Sequence, residues 1–519
     1  MDDSYIHMVY AQNLAETGKL FFSFPNEVGV ASSSILWAGL LALGYKLGFS
    51  MYLVAKVLGI GSLIAVGCGI YSLMRQVWDT TSALAAALLI SISGNMIWFS
   101  LSGMETMLFL ALAVNALLLY RAGRWGGFGV LTGLLTLTRP EGLMLLVACV
   151  ALEIFSRRAA WRGVILSAVL CVIICLPWFL YLKVRTDHFL PTSAAAKQLS
   201  AAQAMGYLIQ TYYLPLDAEE LAVIIFPALW MIYILEFALG GVSLPGPRYA
   251  FPNLPGNTGM SVSYLAVLGF VIFVVLFYHG ARRFLRFAHV AEWMRDPAHR
   301  AILALVLWAA LHNLAYLILL PIPGTASRYG AVNYIILWIG FVAGFSRLVR
   351  KPLTQELLIV FIIFVSLSNT VYWNKVYDAN LEHMLNVRIP AAYYMRDNFP
   401  ASQQCAAFDI GVIRYFSGRP IVEVAALLEP KANEWLSRGA VDEYLLSRNV
   451  SCLILPGPSQ SDADNIIDFA DLLGIRNSPL FELHQVQRFE IDRERWLLGY
   501  LPTGNYQPSV IVYKLIPRK

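Results

Sequence analysis

Charge is what this chain of 519 residues has least of: Asp, Glu, Lys and Arg make up 14% of it, against 58% hydrophobic residues. Its mean hydropathy is +0.61. Soluble domains carry about 25% charged residues, so this composition excludes a water-soluble globular protein and indicates a polytopic membrane protein. Cysteine is also scarce. Of six, Cys68, Cys149, Cys171 and Cys175 lie in apolar runs, where a free thiol behaves as a small hydrophobe. Cys405 and Cys452 fall in the polar C-terminal part, mid-strand, where a disulfide between neighbouring strands strains easily, so free thiols are expected. There is no CxxC pair and no Cys/His cluster at ligand spacing, which argues against a zinc site. No basic segment with a following apolar stretch precedes Asp2, and no internal repeat or low-complexity tract interrupts the chain. The net charge of +5 does not form a basic patch. Arg and Lys sit in short loops between apolar runs, a pattern that sets membrane topology and does not indicate nucleic-acid binding.

What is present is a series of apolar runs. Ile35–Leu47 is short and fits a helix lying along a membrane. Spans are expected at about 52–74, 80–97, 104–120, 126–138, 142–156, 163–182, 262–281, 300–319, 331–346 and 355–373. Some fall short of the roughly 20 residues that cross a bilayer, and 126–156 reads as a helical hairpin buried among the others. Arg75; Arg121 and Arg124; Arg157, Arg158 and Arg162; Arg282, Arg283 and Arg286; and Arg347, Arg350 and Lys351 share one side, which the positive-inside rule makes cytoplasmic. The opposite, outer side receives 1–33, 183–261 and 320–330. Leu221–Leu239 is read as a re-entrant or interfacial hairpin, because a full crossing there would reverse every later loop. Residues 1–377 thus form a membrane domain. From 378 to 519 apolar and polar runs alternate, with strands at Gln404–Ile410, Ile421–Val424 and Val450–Leu455 and helices at Ile389–Asn398 and Asn433–Arg448. That pattern is a small α/β domain on the outer face.

Ionisable groups at membrane depth cost about 2.5–3.5 kcal/mol each on insertion scales, so their positions carry information. Here they map to the outer side: Asp2 and Asp3, Glu105, Arg139 and Glu141, His188, Lys197 and Arg328. Carboxylates and cations together suit a reaction needing a base and an anion stabiliser, such as sugar transfer from a lipid-linked phosphate. Adjacent carboxylates at Asp2 and Asp3 would raise one pKa and strengthen the base.

Asp2-Asp3-Ser4-Tyr5-Ile6 followed by Tyr10-Ala11-Gln12-Asn13 is similar to the first outer loop of GT-C fold glycosyltransferases. These polytopic enzymes use polyprenyl-phosphate sugars, and include lipid A aminoarabinose transferases, protein O-mannosyltransferases and mycobacterial arabinofuranosyltransferases. The resemblance continues through Ser33-Ser34-Ile35-Leu36-Trp37, Ser102-Gly103-Met104-Glu105-Thr106, Thr138-Arg139-Pro140-Glu141-Gly142 and Leu190-Pro191-Thr192 with Ala196-Lys197. It ends with Ser327-Arg328-Tyr329 and with Asp409-Ile410-Gly411 through Gly418-Arg419-Pro420. Each motif is weak alone, but the ordered set spans nearly the whole chain. The fold it implies is an α-helical polytopic membrane protein, GT-C-like, with a C-terminal α/β extracytoplasmic domain. It also implies inverting transfer of a hexosyl or pentosyl unit from a polyprenyl-phosphate donor to an envelope glycan, lipid or protein, on the outer face of the cytoplasmic membrane. Asp2 or Asp3 would be the base, Arg328 would contact the lipid phosphate with Lys197 assisting, and Glu105, Arg139, Glu141 and His188 would line the cavity. No cofactor is implied, with a divalent metal left open. The family carries one membrane helix before its acidic pair, so a start assigned too late is expected here.

Plainer readings stand beside these. Glu105 could cap the helix that follows it. Arg139 and Glu141 could simply pair with each other, and Arg328 could snorkel to the interface. His312 reads as a core residue, and Asp409-Ile410-Gly411 lacks the glycine spacing of a nucleotide loop and reads as a structural turn. A transporter or flippase of lipid-linked sugars would also gather charges in a cavity, although no inverted repeat supports it. A catalytically dead lipid-binding homologue is a third alternative. The loops 183–220 and 240–261 offer nothing that identifies sugar or acceptor.

Overall fold

Backbone polar groups in long apolar runs must be satisfied within the segment, which makes them helices. The computed structural model describes residues 1–30, 32–156, 160–189, 191–193, 264–282, 292–319, 325–348, 352–428, 432–460, 468–503 and 506–518. The chain opens with α1 (Asp2–Thr17) and α2 (Ile35–Lys46), followed by α3 (Met51–Met74), α4 (Thr80–Ser91), α5 (Gly94–Leu101), α6 (Thr106–Arg121) and α7 (Trp125–Thr138). A 3₁₀ turn at Pro140–Gly142 leads into α8 (Leu143–Phe155) and α9 (Trp161–Thr186). Later come α10 (Tyr264–Ala281), α11 (Pro297–Leu319), a second 3₁₀ turn (Thr325–Gly330), α12 (Ala331–Leu348) and α13 (Pro352–His383). The Leu221–Leu239 hairpin lies outside the described residues.

By length and composition, four helices among the described residues can cross a membrane: Met51–Met74, Trp161–Thr186, Pro297–Leu319 and Arg328–Ser346. The expected span at 80–97 is instead two helices, α4 and α5, bent by 51°. Counted as one broken span, they make five. The break persists because α13 satisfies its backbone. Asn369 Oδ1 accepts from Gly94 N at 2.7 Å, and Thr370 Oγ1 donates to the Ile92 carbonyl at 3.3 Å. Helices α6, α7 and α8, with 16, 14 and 13 residues, are short for a crossing. The buried core of the bundle includes Trp98, Phe99, Phe109, Trp308, Tyr334 and Trp338. Val57, Ile64, Ile165 and Ile173 are more than half exposed. An apolar outside around a packed interior is what a lipid solvent favours.

The boundary expected at 378 falls inside α13, which continues through a π turn (Met384–Arg388) into α14 (Ile389–Asn398). After it come β1 (Gln404–Ala407), α15 (Ile410–Ser417), β2 (Val422–Glu423), α16 (Ala432–Ser437), α17 (Val441–Ser447) and β3 (Val450–Gly457). Then follow α18 (Phe469–Leu472), β4 (Phe481–Glu490), α19 (Arg493–Thr503) and β5 (Ser509–Pro517). The five-stranded sheet has the order β2-β1-β3-β5-β4, parallel at β2-β1-β3 and antiparallel at β3-β5-β4. Two sequence expectations fail here. The strand from Gln404 stops at Ala407, because Asp409 already begins α15. The helix expected over Asn433–Arg448 is split into α16 and α17 by Gly439, whose φ of 68° no helix accommodates. Cys405 and Cys452 are register partners on β1 and β3, and both are free thiols.

Candidate functional site

Helix α1 organises the site. Its end at Thr17, rather than the loop expected from residue 15, is set by Gly18 at φ 71°, whose N–H bonds back to the Leu14 carbonyl. Tyr5–Ala11 are all buried, so α1 is a central element and not a solvated tail. At 100° per residue, adjacent side chains on a helix point apart, and the two aspartates are separated accordingly. Asp2 turns to the α/β domain and accepts hydrogen bonds from Gly411 N (3.0 Å) and Val412 N (2.8 Å), at the start of α15. Asp3 turns to the membrane helices and accepts from Arg328 Nη2. The two adjacent aspartates therefore bond different partners, while the Asp3 charge still acts on Asp2 and on Asp409.

The stretch Asp409-Ile410-Gly411, read as a mere turn, is the socket for Asp2. Helix N-termini favour anions through free N–H groups and the helix dipole, and here the anion comes from the chain itself. Gly411 is required by proximity: a Cβ there would lie 2.2 Å from the Asp2 carbonyl oxygen. Arg388, buried beneath, bonds Asp409 Oδ2 at 2.7 Å and lies 3.9 Å from Asp2 Oδ1. Burial, and then the Asp409 charge, raise the Asp2 carboxyl to about 6, against the opposing pull of Arg388 and the Val412 N–H. The neighbour that matters more is Asp409, not Asp3 as adjacency suggested. A carboxyl raised on folding stabilises the folded state below its unfolded pKa and loses that contribution as pH rises through 6. Wild type should therefore gain stability relative to Asp2→Asn as pH falls from 7.5 to 5, by at most about 1.4 kcal/mol per pH unit. Thermal unfolding in detergent at several pH values measures this, and a pH-independent difference would eliminate Asp2 as the titrating group.

On the other face of α1, Arg328 is 4% exposed and therefore no snorkelling residue. Its Nη2 also donates to Tyr329 Oη at 3.2 Å, its Nη1 approaches Met1 Sδ at 3.7 Å, and its Nε is buried without a hydrogen-bond partner. Arg139 stacks on the same tyrosine, 4.6 Å from the Tyr329 ring centre, and on Phe109 at 5.3 Å. Arg139 Nε bonds Glu141 Oε1 at 2.7 Å, so these two do pair. They also share Tyr316, whose hydroxyl accepts from Arg139 Nη2 (2.8 Å) and donates to Glu141 Oε1 (2.6 Å). Tyr316 stacks on Tyr329 at 5.2 Å, and His312 Nε2 bonds the Tyr329 carbonyl at 2.6 Å. His312 is buried, as a core residue would be, but it also supports this network.

Glu105 is the N-cap residue of α6, as its plainer reading has it, but its side chain makes no capping hydrogen bond there. Its Oε2 lies 3.4 Å from His7 Nε2, and His7 Nδ1 is 2.9 Å from Ser32 Oγ. Four residues after Asp3 on α1, His7 shares its face. Glu105 lies within electrostatic reach of both Arg139 and Arg328. The structure therefore brings together Asp3, Arg328, Glu105, Arg139 and Glu141, while the Asp2 carboxylate bonds the start of α15. His188 is exposed beyond the end of α9, and its backbone N–H and carbonyl bond Thr186 Oγ1. Lys197 lies outside the described residues. Sequence reading missed His7, Tyr316 and Arg388. Only His7 had a usable signal, its four-residue spacing from Asp3. Among the described residues no group of three or more His, Cys, Asp or Glu side chains is placed to hold a metal ion.

No protein-family model matches the chain, and no curated protein does. Among solved structures it is similar to ArnT from Cupriavidus metallidurans in the apo state, with a TM-score of 0.51 and 12% sequence identity. The match covers 98% of this chain and 92% of that one. A structure of the same ArnT bound to undecaprenyl phosphate gives a TM-score of 0.49 at 12% identity, covering 98% and 93%. The likeness runs through both the helical bundle and the small sheet that follows it. In fold, the chain is an α-helical polytopic membrane protein of the GT-C type with a C-terminal α/β domain.

Proposed function

We propose that the protein is a glycosyltransferase that moves one sugar from a polyprenyl-phosphate donor to an envelope glycan, lipid or protein. The observation that carries this reading is the pairing of a partly exposed Asp3 with buried Arg328, beside buried Arg139 and Glu105, half-buried Glu141 and stacked tyrosines. In the reaction, the acceptor oxygen forms a bond to the anomeric carbon while the bond to the phosphate oxygen breaks. The electron pair leaves with polyprenyl phosphate, and the hydroxyl proton passes to the Asp3 carboxylate. Attack opposite the leaving group inverts the anomeric centre. Arg328 holds the departing phosphate with donors that Asp3 does not use. Its guanidinium carries five N–H groups in a planar fork, matched to two phosphate oxygens. That fixed positive charge serves the purpose for which other phosphate-handling sites use a divalent ion. By the distribution of arginines between spans, the site and the α/β domain face outward from the cytoplasmic membrane.

Arg328→Lys keeps a charge but loses the fork, and lysine is not interchangeable with arginine at bidentate sites. The donor KM should rise about tenfold, equivalent to about 1.4 kcal/mol of lost phosphate contact. The assay is conversion of radiolabelled polyprenyl-phosphate sugars by the purified protein in liposomes, with mass spectrometry of envelope glycans from cells with and without it. A donor carried across the bilayer with no covalent product would replace the transferase reading with that of a flippase.

A further inference from the structure

Away from the charged cluster, a second cavity of about 470 Å³ opens between the loop that follows α1 and the edge of the α/β domain. Asn26 and Glu27 from the loop, Glu423 of β2, Tyr444 of α17, and Arg448 and Asn449 beside it all line the cavity. We propose that this cavity binds a neutral, hydroxyl-rich saccharide unit, as part of the acceptor. Its volume lies within the roughly 300–1,000 Å³ of small-molecule sites.

The walls argue for that class. Glu423 is 3% exposed, and its Oε1 is buried without a hydrogen-bond partner, whereas Oε2 accepts from Leu428 N at 3.1 Å. A buried polar atom left unsatisfied calls for an explanation, and this one lies on the wall of a cavity large enough to hold a ligand. The Glu27 carboxylate is already committed to the N–H groups of Phe22, Ser23 and Phe24, at 2.8–3.0 Å. It shapes the loop and adds negative charge to that side. Among the described residues Arg448 is the one cation of the lining and the Glu27 carboxylate faces the same cavity, so the walls carry no excess positive charge to draw a phosphate or sulfate. Amides at Asn26 and Asn449 both donate and accept, as does a protonated acid, and burial raises Glu423 to about 7. Each sugar hydroxyl likewise donates and accepts, so a saccharide satisfies such a lining from either side. An acyl chain would leave these groups unpaired, at about 1–3 kcal/mol apiece.

The loop that forms one wall is held to the domain by Thr192. Its hydroxyl donates to the Leu427 carbonyl at 2.6 Å and accepts from Val30 N at 3.1 Å. The loop continues from α1, the helix that carries Asp3, so the cavity is joined through the chain to the element that positions the base. The proposal rests on the transferase reading only in naming the saccharide as acceptor, since binding is read without turnover.

The probes are tri- and tetrasaccharides of glucose, galactose, mannose, arabinose and N-acetylglucosamine, each with a phosphorylated counterpart, titrated against the purified full-length protein in detergent. At least one neutral member should bind, tenfold or more tightly than its phosphorylated form. Asn26→Trp, at an exposed position on the rim, should weaken it at least tenfold with unchanged thermal unfolding. Glu423→Leu should weaken it similarly. Asp3→Asn should bind as wild type, which separates failure here from failure of the catalytic reading. Three results overturn the proposal: no binding by any neutral member, preference for the phosphorylated forms, or unchanged binding by Asn26→Trp.

Discussion

Asp3→Asn should lower kcat about 10²–10⁴-fold, the contribution of a positioned general base, or about 3–5 kcal/mol of barrier. The substitution keeps the size and one acceptor oxygen of the side chain, but an amide cannot take up the hydroxyl proton. Donor binding should change far less, because Arg328 retains Tyr329 and its unused donors. Asp2→Asn sets the contrast. Asp2 is buried with its two oxygens on Gly411 and Val412, so its loss should lower stability while leaving kcat within a few fold. Single-turnover transfer, with the two variants measured side by side, separates these roles. Equal loss in both, or full activity in Asp3→Asn, would move the base to another residue.

The reasons the two aspartates differ were only partly legible in the sequence. That both stand at the start of a helix was within reach of reading, and so was their divergence by 100°. The partners were not, because Gly411 and Arg328 lie 409 and 325 residues away. No local periodicity encodes a contact of that range. Apolar runs located α3, α9, α11 and α12 within a few residues, since lipid leaves the backbone little choice. The α4–α5 break escaped notice because its cause, Asn369 and Thr370, sits on α13. In the α/β domain, β1 and β3 carry apolar runs that announce them, whereas β4, Phe-Glu-Leu-His-Gln-Val-Gln-Arg-Phe-Glu, is half exposed and reads as polar chain. Tyr316 was invisible for a similar reason. An aromatic on an apolar helix is ordinary until Arg139 and Glu141 are placed against it.

Arg388→Met should destabilise the protein by about 3–5 kcal/mol, the penalty for leaving buried charge without its partner. Arg388 is 2% exposed and is the only guanidinium bonded to Asp409 among the described residues, with Asp2 on its other side. Methionine fills much of the same volume, so the loss reports charge more than cavity. Burial already holds both carboxyls above their ordinary range, and Arg388 is the largest influence pulling Asp409 down. Without it both would rise further and be driven to protonate on folding. The variant's deficit should then be larger at pH 7.5 than at pH 5, where protonation removes the uncompensated charge. Adding Asp409→Asn to Arg388→Met should recover part of the loss at pH 7.5, as coupled neighbours do in a double-mutant cycle. Because Arg388 joins α14 to the socket that receives Asp2, limited proteolysis should also cut the variant faster between α13 and β1. A variant as stable as wild type at pH 7.5 would mean that the Asp2 and Asp409 charges are compensated from elsewhere, and that this junction does not depend on Arg388.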